Sequence, residues 1–473
     1  MTNSPTIRLI GANGSNVKLC ACAARISTTS GNSLEIHSQP EDEDKNRKLI
    51  GKVLKSGHRS FIEHATFTFA FCNVSALAEQ FFIEFRLASF TVKSRRYVDF
   101  SKQGYYTPPG MGSECLKVYN EHIGYLFSEY KALHDSGIPL EDARFVLPYC
   151  FSSNFYCTVN ARELAYILYT IKHGRGKNIP ELLDIHDQIV TQIESNFPIL
   201  LDDPLRFGKD AGREIACRFD YIPTAAHHAD VYREGHREGH CAGYREGHCE
   251  LVSCSDAAES NKLINVSQML LENGYAGKGH AGHENANNGY GCDLMGKGIS
   301  PRAIENVSAT FILHDISLSG ITHLARHRMQ SLLVPPFQKV RLDQYIVPLS
   351  IAENPGSLRR YKKAFENNAI AASKLRSLAI PVELYLSLSG NTLDAISTMN
   401  AREHQLFFSL RCCNRAQWEI RSFANSMLGL LRGTQPDLYS RMGPNCFASG
   451  KCPEGKLSCG RQAEVHECFS LIK

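Results

Sequence analysis

The chain has 473 residues, 43% of them apolar and 21% charged, the balance of a folded protein with room for roughly two to four domains. Lys and Arg outnumber Asp and Glu by only 52 to 48, too small an excess for a nucleic-acid coat, and no apolar run approaches the ~18 residues of a spanning helix. The start, MTNSPTIRLIGANGSNVKLC, lacks the basic-then-apolar pattern of a secretory signal, so the 17 cysteines read as reduced thiols of a cytoplasmic enzyme instead of a disulfide scaffold.

In chain order, residues 65–72 alternate and are β-rich, which predicts a strand. Residues 75–90 place Leu77, Phe81, Phe82 and Phe85 at helical spacing behind Ser75, a good N-cap. The stretch 158–172 puts Leu164, Ile167, Leu168 and Ile171 on one helical face. Residues 227–254 carry Arg-Glu-Gly-His three times (233–236, 237–240 and 245–248) with Cys241, Cys249 and Cys254 among them, and 273–298 are rich in Gly, Asn and His. Neither shows helical or strand periodicity, so both read as connectors, and no paired-knuckle spacing assigns a metal there. Further on, 398–411 is a second helical stretch, with Leu406, Phe407 and Leu410 inward, leading into Gln417-Trp418-Glu419-Ile420-Arg421. Near the end, Cys446, Cys452 and Cys459, with His466 and Cys468 beyond, could close a tetrahedral zinc site, but their spacings are unlike a standard knuckle, so the tail reads first as free thiols, with a zinc site and a docking segment left open.

The chain also repeats itself. Glu63-His64-Ala65-Thr66-Phe67-Thr68-Phe69 corresponds to Glu305-Asn306-Val307-Ser308-Ala309-Thr310-Phe311 at an offset of 242, and Phe85-Arg86-Leu87-x-Ser89 faces His327-Arg328-Met329-x-Ser331 at the same offset. Asn160-Ala161-Arg162-Glu163 recurs letter for letter as Asn400-Ala401-Arg402-Glu403 at an offset of 240. Three landmarks in one order at nearly one offset mean tandem duplication. The expected class is α+β, with helices packed on a mixed or antiparallel sheet twice over: repeat 1 at 1–206, a His/Cys-rich linker at 207–248, and repeat 2 at 249–473 with the Cys-rich tail.

Two clusters carry chemistry. Arg326-His327-Arg328 follows a helical stretch, and Ser94-Arg95-Arg96-Tyr97 sets a hydroxyl beside two guanidiniums and a ring; both suit phosphate, because guanidinium forks bond it bidentately. With Ala143-Arg144-Phe145-Val146-Leu147-Pro148, His58, and Arg411 eleven residues after Asn400, these motifs resemble the flavin-dependent thymidylate synthases, the ThyX family, over most of 50–200 and 300–460. The family's signature runs from Arg-His-Arg through seven residues to Ser-x-Arg-Tyr. Here it is divided. The second copy has Arg326-His327-Arg328 but Pro336 and Gln338 at the Ser and Arg positions; the first has Ser94 and Arg96 but Glu84-Phe85-Arg86 in place of the triplet and Ile171 in place of Arg411.

The resemblance implies transfer of a one-carbon unit from methylene-tetrahydrofolate to dUMP, with reduction by FAD that NADPH recharges. It implies Arg411 as the substrate-activating residue, with no obligatory Cys nucleophile. Ser94, Arg95, Arg96, Arg144 and Arg326 would hold the nucleotide, and His58, Ser60, Arg326, His327, Arg328, Asn400 and Arg402 the flavin. Because the losses are complementary, the two copies are expected to build one composite site, with two chains forming a pseudo-tetramer as a homodimer. No metal, membrane or nucleic-acid partner is expected. Two other readings stay open on sequence: methylation of another pyrimidine nucleotide, which Val92 and His323 favour as departures from the family, and a catalytically inactive nucleotide-binding paralogue.

Overall fold

A computed structural model of the protein describes residues 4–14, 16–208, 248–273, 300–375 and 382–471. Most of the His/Cys-rich linker, and all but the start of the Gly/Asn/His-rich stretch, lie outside the described residues. Among those described, no helix is long and apolar enough to cross a membrane.

The strands form two four-stranded antiparallel sheets of identical topology, β1-β2-β4-β3 and β5-β6-β8-β7. The first contains β1 (Thr6–Ala12), β2 (Thr66–Ser75), β3 (Ala88–Val92) and β4 (Ser152–Asn160). The second contains β5 (His248–Cys254), β6 (Ser308–Ser317), β7 (Ser331–Leu333) and β8 (Thr392–Asn400). Strand alternation drives this: Phe67, Phe69 and Phe71 of β2 are buried, as are Ala309, Phe311 and Leu313 of β6, while the residues between them are not all buried. β5 corrects the reading of residues up to 254 as connector. It is an edge strand whose place is set by pairing with β6, and only Cys249 of it is buried.

Both sheets share a bulge. Between Phe71 and Val74, and between Leu313 and Ile316, the register slips. There Asn73 (φ 58°) and Asp315 (φ 53°) enter the left-handed region that short polar side chains tolerate. Each exposed amide is taken across the ladder: Asn73 N–H donates to Asn154 Oδ1 at 3.1 Å and Asp315 N–H to Asp394 Oδ1 at 3.0 Å.

Past each bulge the strand runs into a short helix, Ala76–Ile83 or Leu318–Leu324, capped by Ser75 or Ser317. A buried carboxylate holds each cap. Ser75 gives its N–H and hydroxyl to Glu181 at 2.6 and 2.5 Å; Ser317 does the same to Glu419 at 2.6 and 2.6 Å. Burial pushes the Glu181 carboxyl up to about 7 against the pull of those hydrogen bonds. The first helix is shorter than its apolar spacing predicts: it stops at Ile83, and the chain turns through Glu84 to Leu87 before β3.

The described residues divide into two compact units. One holds the first copy together with Leu349–Ser389 of the second; the other holds the rest of the second copy. Within the first unit, the helix Pro355–Leu375 packs along its counterpart Ser113–Asp135. A two-way bridge ties the following segments: Tyr149 N–H donates to Ser387 O at 2.8 Å, and Ser389 N–H to Leu147 O at 2.9 Å. At the repeat offset of 240, these two bonds are images of each other, so the segments meet about a local pseudo-two-fold axis.

Candidate active site

In the second unit the helix Leu318–Leu324 ends one residue before Arg326-His327-Arg328, so the triplet occupies a turn and not a helical surface. The turn is braced from below by buried Gln330, whose amide donates to Leu324 O and whose carbonyl accepts from Ser397 Oγ at 3.0 Å. This geometry splits the triplet. Arg326 and Arg328 are exposed; His327 points inward and is 6% exposed.

There His327 meets two residues of the helix Ala401–Arg411. Its Nδ1 lies 3.1 Å from Glu403 Oε1, and its Nε2 lies 2.8 Å from Arg411 Nε. A guanidinium can only donate, so Nε2 accepts and the proton sits on Nδ1, donating to Glu403. Burial, and the charge of Arg411, keep the imidazole pKa below its ordinary value, opposing the pull of Glu403, so His327 is neutral. Arg411 is anchored a second time by Nη2 donating to His323 O at 3.3 Å. The outcome is a chain of three, carboxylate to imidazole to guanidinium, that fixes the plane of Arg411 at a half-buried position. Cys412 beside it is buried, and burial drives its pKa up, so it is a thiol and no nucleophile.

Asn400 and Arg402 serve local structure. Asn400 caps the helix by accepting from Glu403 N–H at 2.9 Å, and Arg402 pairs with Glu305. The first copy repeats both devices: Asn160 accepts from Glu163 N–H at 2.9 Å, and Arg162 pairs with Glu63 at 2.5 Å. In the same helix of the second copy, Phe407 and Phe408 face the core, whereas Leu406 and Leu410 are exposed, contrary to the apolar face expected.

The first copy keeps the carboxylate, Glu163, but has filled the rest of the equivalent space with hydrocarbon. Phe85 stands for His327 and rests edge-on against Tyr166 at 5.7 Å; buried Ile171 stands for Arg411. Arg175 lies over Phe81 and Phe85 at 4.7 and 5.5 Å and pairs with Glu84, the counterpart of Arg326. Without an imidazole partner, Glu163 has its pKa raised by burial.

The first unit instead holds the other cluster. Past β3 the loop presents Ser94, half-buried, whose Oγ accepts from Arg96 N–H at 3.3 Å. Arg96 pairs with Glu141, and the carbonyl of Glu141 accepts from Arg144 Nε at 2.9 Å. Glu141 therefore orients both guanidiniums and brings Ser94, Arg96 and Arg144 into one neighbourhood. Arg95 turns the other way: it is 6% exposed, pairs with Glu79 and lies over Phe151 at 5.0 Å, while Glu79 also accepts from Ser153 Oγ. His58 and Ser60 are exposed at the start of the 3-10 turn Ser60–His64. Among the described residues, the second unit has no such loop. β7 stops at Leu333, because Pro335 and Pro336 supply no N–H to continue the ladder, and Phe337–Lys339 forms a 3-10 turn.

Family comparison agrees with two copies. The model of the thymidylate synthase complementing protein family matches residues 8–199 and again 258–437. The chain belongs to this family. The flavin-dependent thymidylate synthase of Clostridium tetani is 36% identical over 186 residues, which cover 35% of this chain and 74% of that protein. That of Geobacter sulfurreducens is 37% identical over 172 residues, with coverages of 35% and 74%. Among solved structures, the UMP/dUMP methylase PolB from Streptomyces cacaoi, bound with 5-Br dUMP, aligns at a TM-score of 0.38 and 24% identity, covering 44% of this chain and 97% of that one.

The acidic partners Glu403, Glu141 and Glu79 were not among the residues singled out from sequence. Glu403 is the one with a visible signal: it closes the Asn-Ala-Arg-Glu motif that both copies share.

Proposed function

We propose that the chain is a flavin-dependent thymidylate synthase that methylates dUMP to dTMP with methylene-tetrahydrofolate and NADPH, using residues of both copies for one site. The observation that carries this reading is complementary retention. The Glu403–His327–Arg411 chain is complete in the second copy and overwritten by Phe85 and Ile171 in the first. The Ser94–Arg96–Arg144 cluster is complete in the first and replaced by Pro336 and Gln338 in the second.

The donors present fit a dinucleotide. Exposed Arg326 and Arg328 flank the turn as planar forks suited to a pyrophosphate, and exposed Arg402, His58 and Ser60 are assigned to the same ligand. Flavin, when bound, supplies the redox chemistry. The protein's share is binding and electrostatics. Ser94, Arg96 and Arg144 hold the phosphate and pyrimidine of dUMP, and Arg95 keeps their loop in place through Glu79. Arg411 sits against the pyrimidine and stabilises the negative charge that develops as N3 ionises. It cannot take up a proton, so its role is electrophilic, and one preorganised donor of this kind is worth about 10²–10³ in rate. His327 and Glu403 fix the direction of that donor before substrate arrives. Two chains associate as a homodimer in the cytoplasm, giving two working sites.

Tritium release from C5-labelled dUMP, measured anaerobically with methylene-tetrahydrofolate, NADPH and FAD, tests the reading. Release that needs every component and vanishes in Arg411→Ala, while flavin binding survives, supports it. Flavin-loaded protein that releases nothing from dUMP but methylates UMP or dCMP would reassign the acceptor.

A further inference from the structure

The two copies share a fold, so each is a control for what the other's retained cluster needs. The turn that carries Arg326, His327 and Arg328 is closed by two backbone hydrogen bonds, His327 N–H to Leu324 O at 2.9 Å and Gln330 N–H to His327 O at 3.3 Å. The first copy closes the same turn in the same way, with Phe85 N–H to Phe82 O at 3.1 Å and Ala88 N–H to Phe85 O at 3.4 Å. The backbone therefore takes this shape whether its last position is Gln330 or Ala88.

The Gln330 side chain adds a tie that the first copy lacks. It is 1% exposed and joins the turn to β8. Leu324 O can only accept, so the amide nitrogen of Gln330 faces it, and Oε1 is left to accept from buried Ser397 Oγ at 3.0 Å. In the first copy the equivalent positions are Ala88 and Cys157, both buried. A buried amide and hydroxyl that satisfy each other contribute little more than apolar groups of the same shape, so the fold does not call for the exchange. The charges on the turn do. Arg326 and Arg328 are like charges two residues apart, where the first copy has Glu84 and Arg86 of opposite sign. Aiming two guanidiniums at one anion sets them against each other, and a turn free to shift would relax by swinging them apart.

The first copy shows the converse. Behind its own retained loop, Ser94 to Arg96, Glu79 pairs with Arg95 and accepts from Ser153, all three buried; the second copy has Ile321, Phe337 and Leu393 at those positions. Each copy keeps a buried polar brace behind the cluster it retains and apolar side chains behind the one it has lost.

We infer that Gln330 is a positioning residue: through Leu324 O and Ser397 it locks the 326–328 turn to β8, so that Arg326 and Arg328 are aimed before the flavin pyrophosphate arrives. Ordering the donors beforehand lowers the cost of binding. The inference rests on the flavin reading of this turn.

The test is the double variant Gln330→Met/Ser397→Ala in the full chain, which removes both partners of the bond together and nearly keeps their volume. Its Tm should stay near the native value, while flavin affinity, read by fluorescence titration of the flavin-free protein, should fall by about 10-fold, the worth of one or two neutral hydrogen bonds. KM for dUMP at saturating flavin should not move, because Ser94, Arg96 and Arg144 are untouched. Ser397→Ala alone, a smaller change that serves if the double variant does not fold, should weaken flavin binding by about 2- to 5-fold. Native flavin affinity in the folded double variant would overturn the positioning role and leave the synthase reading standing. A Tm that falls in step with flavin affinity would also overturn it, since that marks a structural role. An unmutated chain that binds no flavin would overturn both.

Discussion

Replacing Glu403 by Gln probes how Arg411 is held. The substitution keeps the backbone N–H that Asn400 caps and nearly the same volume, and changes only the charge and one acceptor. In the native arrangement the carboxylate takes the Nδ1 proton of His327 at 3.1 Å, with side-chain exposures of 7% and 4%, so solvent does little to weaken the bond. A buried hydrogen bond to a charged partner contributes about 1.5–3 kcal/mol. The amide introduced by Glu403→Gln can also turn its N–H₂ toward Nδ1, moving the imidazole proton to Nε2, where it would face the N–H of Arg411 Nε instead of accepting from it. If the lost bond is felt fully in the transition state, kcat falls by about 10- to 150-fold. Tritium release from labelled dUMP reads kcat, and flavin titration reads the cofactor site. The reasoning predicts a fall in kcat with flavin affinity unchanged. An unchanged kcat, or equal losses in both, would refute the idea that Glu403 acts through His327 on Arg411.

Other outcomes follow from the same geometry. His404 is fully buried, its Nδ1 lies 3.1 Å from Tyr439 Oη, and its pKa is pushed down by burial to about 3. The unfolded chain therefore binds a proton near pH 6.5 that the folded chain refuses, and stability is lost as pH falls below that value. From pH 7 to 5 the loss is about 2 kcal/mol. Glu181, raised to about 7, acts in the opposite sense, so the clean readout is the difference between the native chain and His404→Phe, which should narrow by that amount on acidification. Trp418, the single tryptophan, reports the second unit in such a denaturation experiment. Glu79→Gln leaves buried Arg95 without its carboxylate and should destabilise the first unit by about 3–5 kcal/mol, seen as a lower Tm. Arg96→Ala should weaken dUMP binding by about 10-fold or more while leaving deoxyuridine binding, which lacks the phosphate, unchanged.

Much of this was legible in the residues. Alternating phenylalanines gave β2, Ser75 gave the start of the short helix after it, and the repeat offset gave two sheets of one topology. Other features depend on tertiary partners. Phe85 has the spacing of a helical residue, yet the chain leaves the helix before it because β3 must turn back onto β4. β5 is an edge strand with polar residues on both faces beside a Gly- and His-rich run, so no periodicity marks it. Leu406 and Leu410 look like a core face, but the packed side of that helix is set by His404, Phe407 and Phe408. The partnership of His327 with Glu403 spans 76 residues, and only folding brings them together.

The central claim is that each chain builds one working site from two incomplete copies. Counting flavin tests it most directly: FAD absorbance of the fully loaded protein against chain concentration from amino-acid analysis. The account predicts one FAD per chain. Two per chain would mean that the Phe85 and Ile171 side also binds cofactor, and would contradict it.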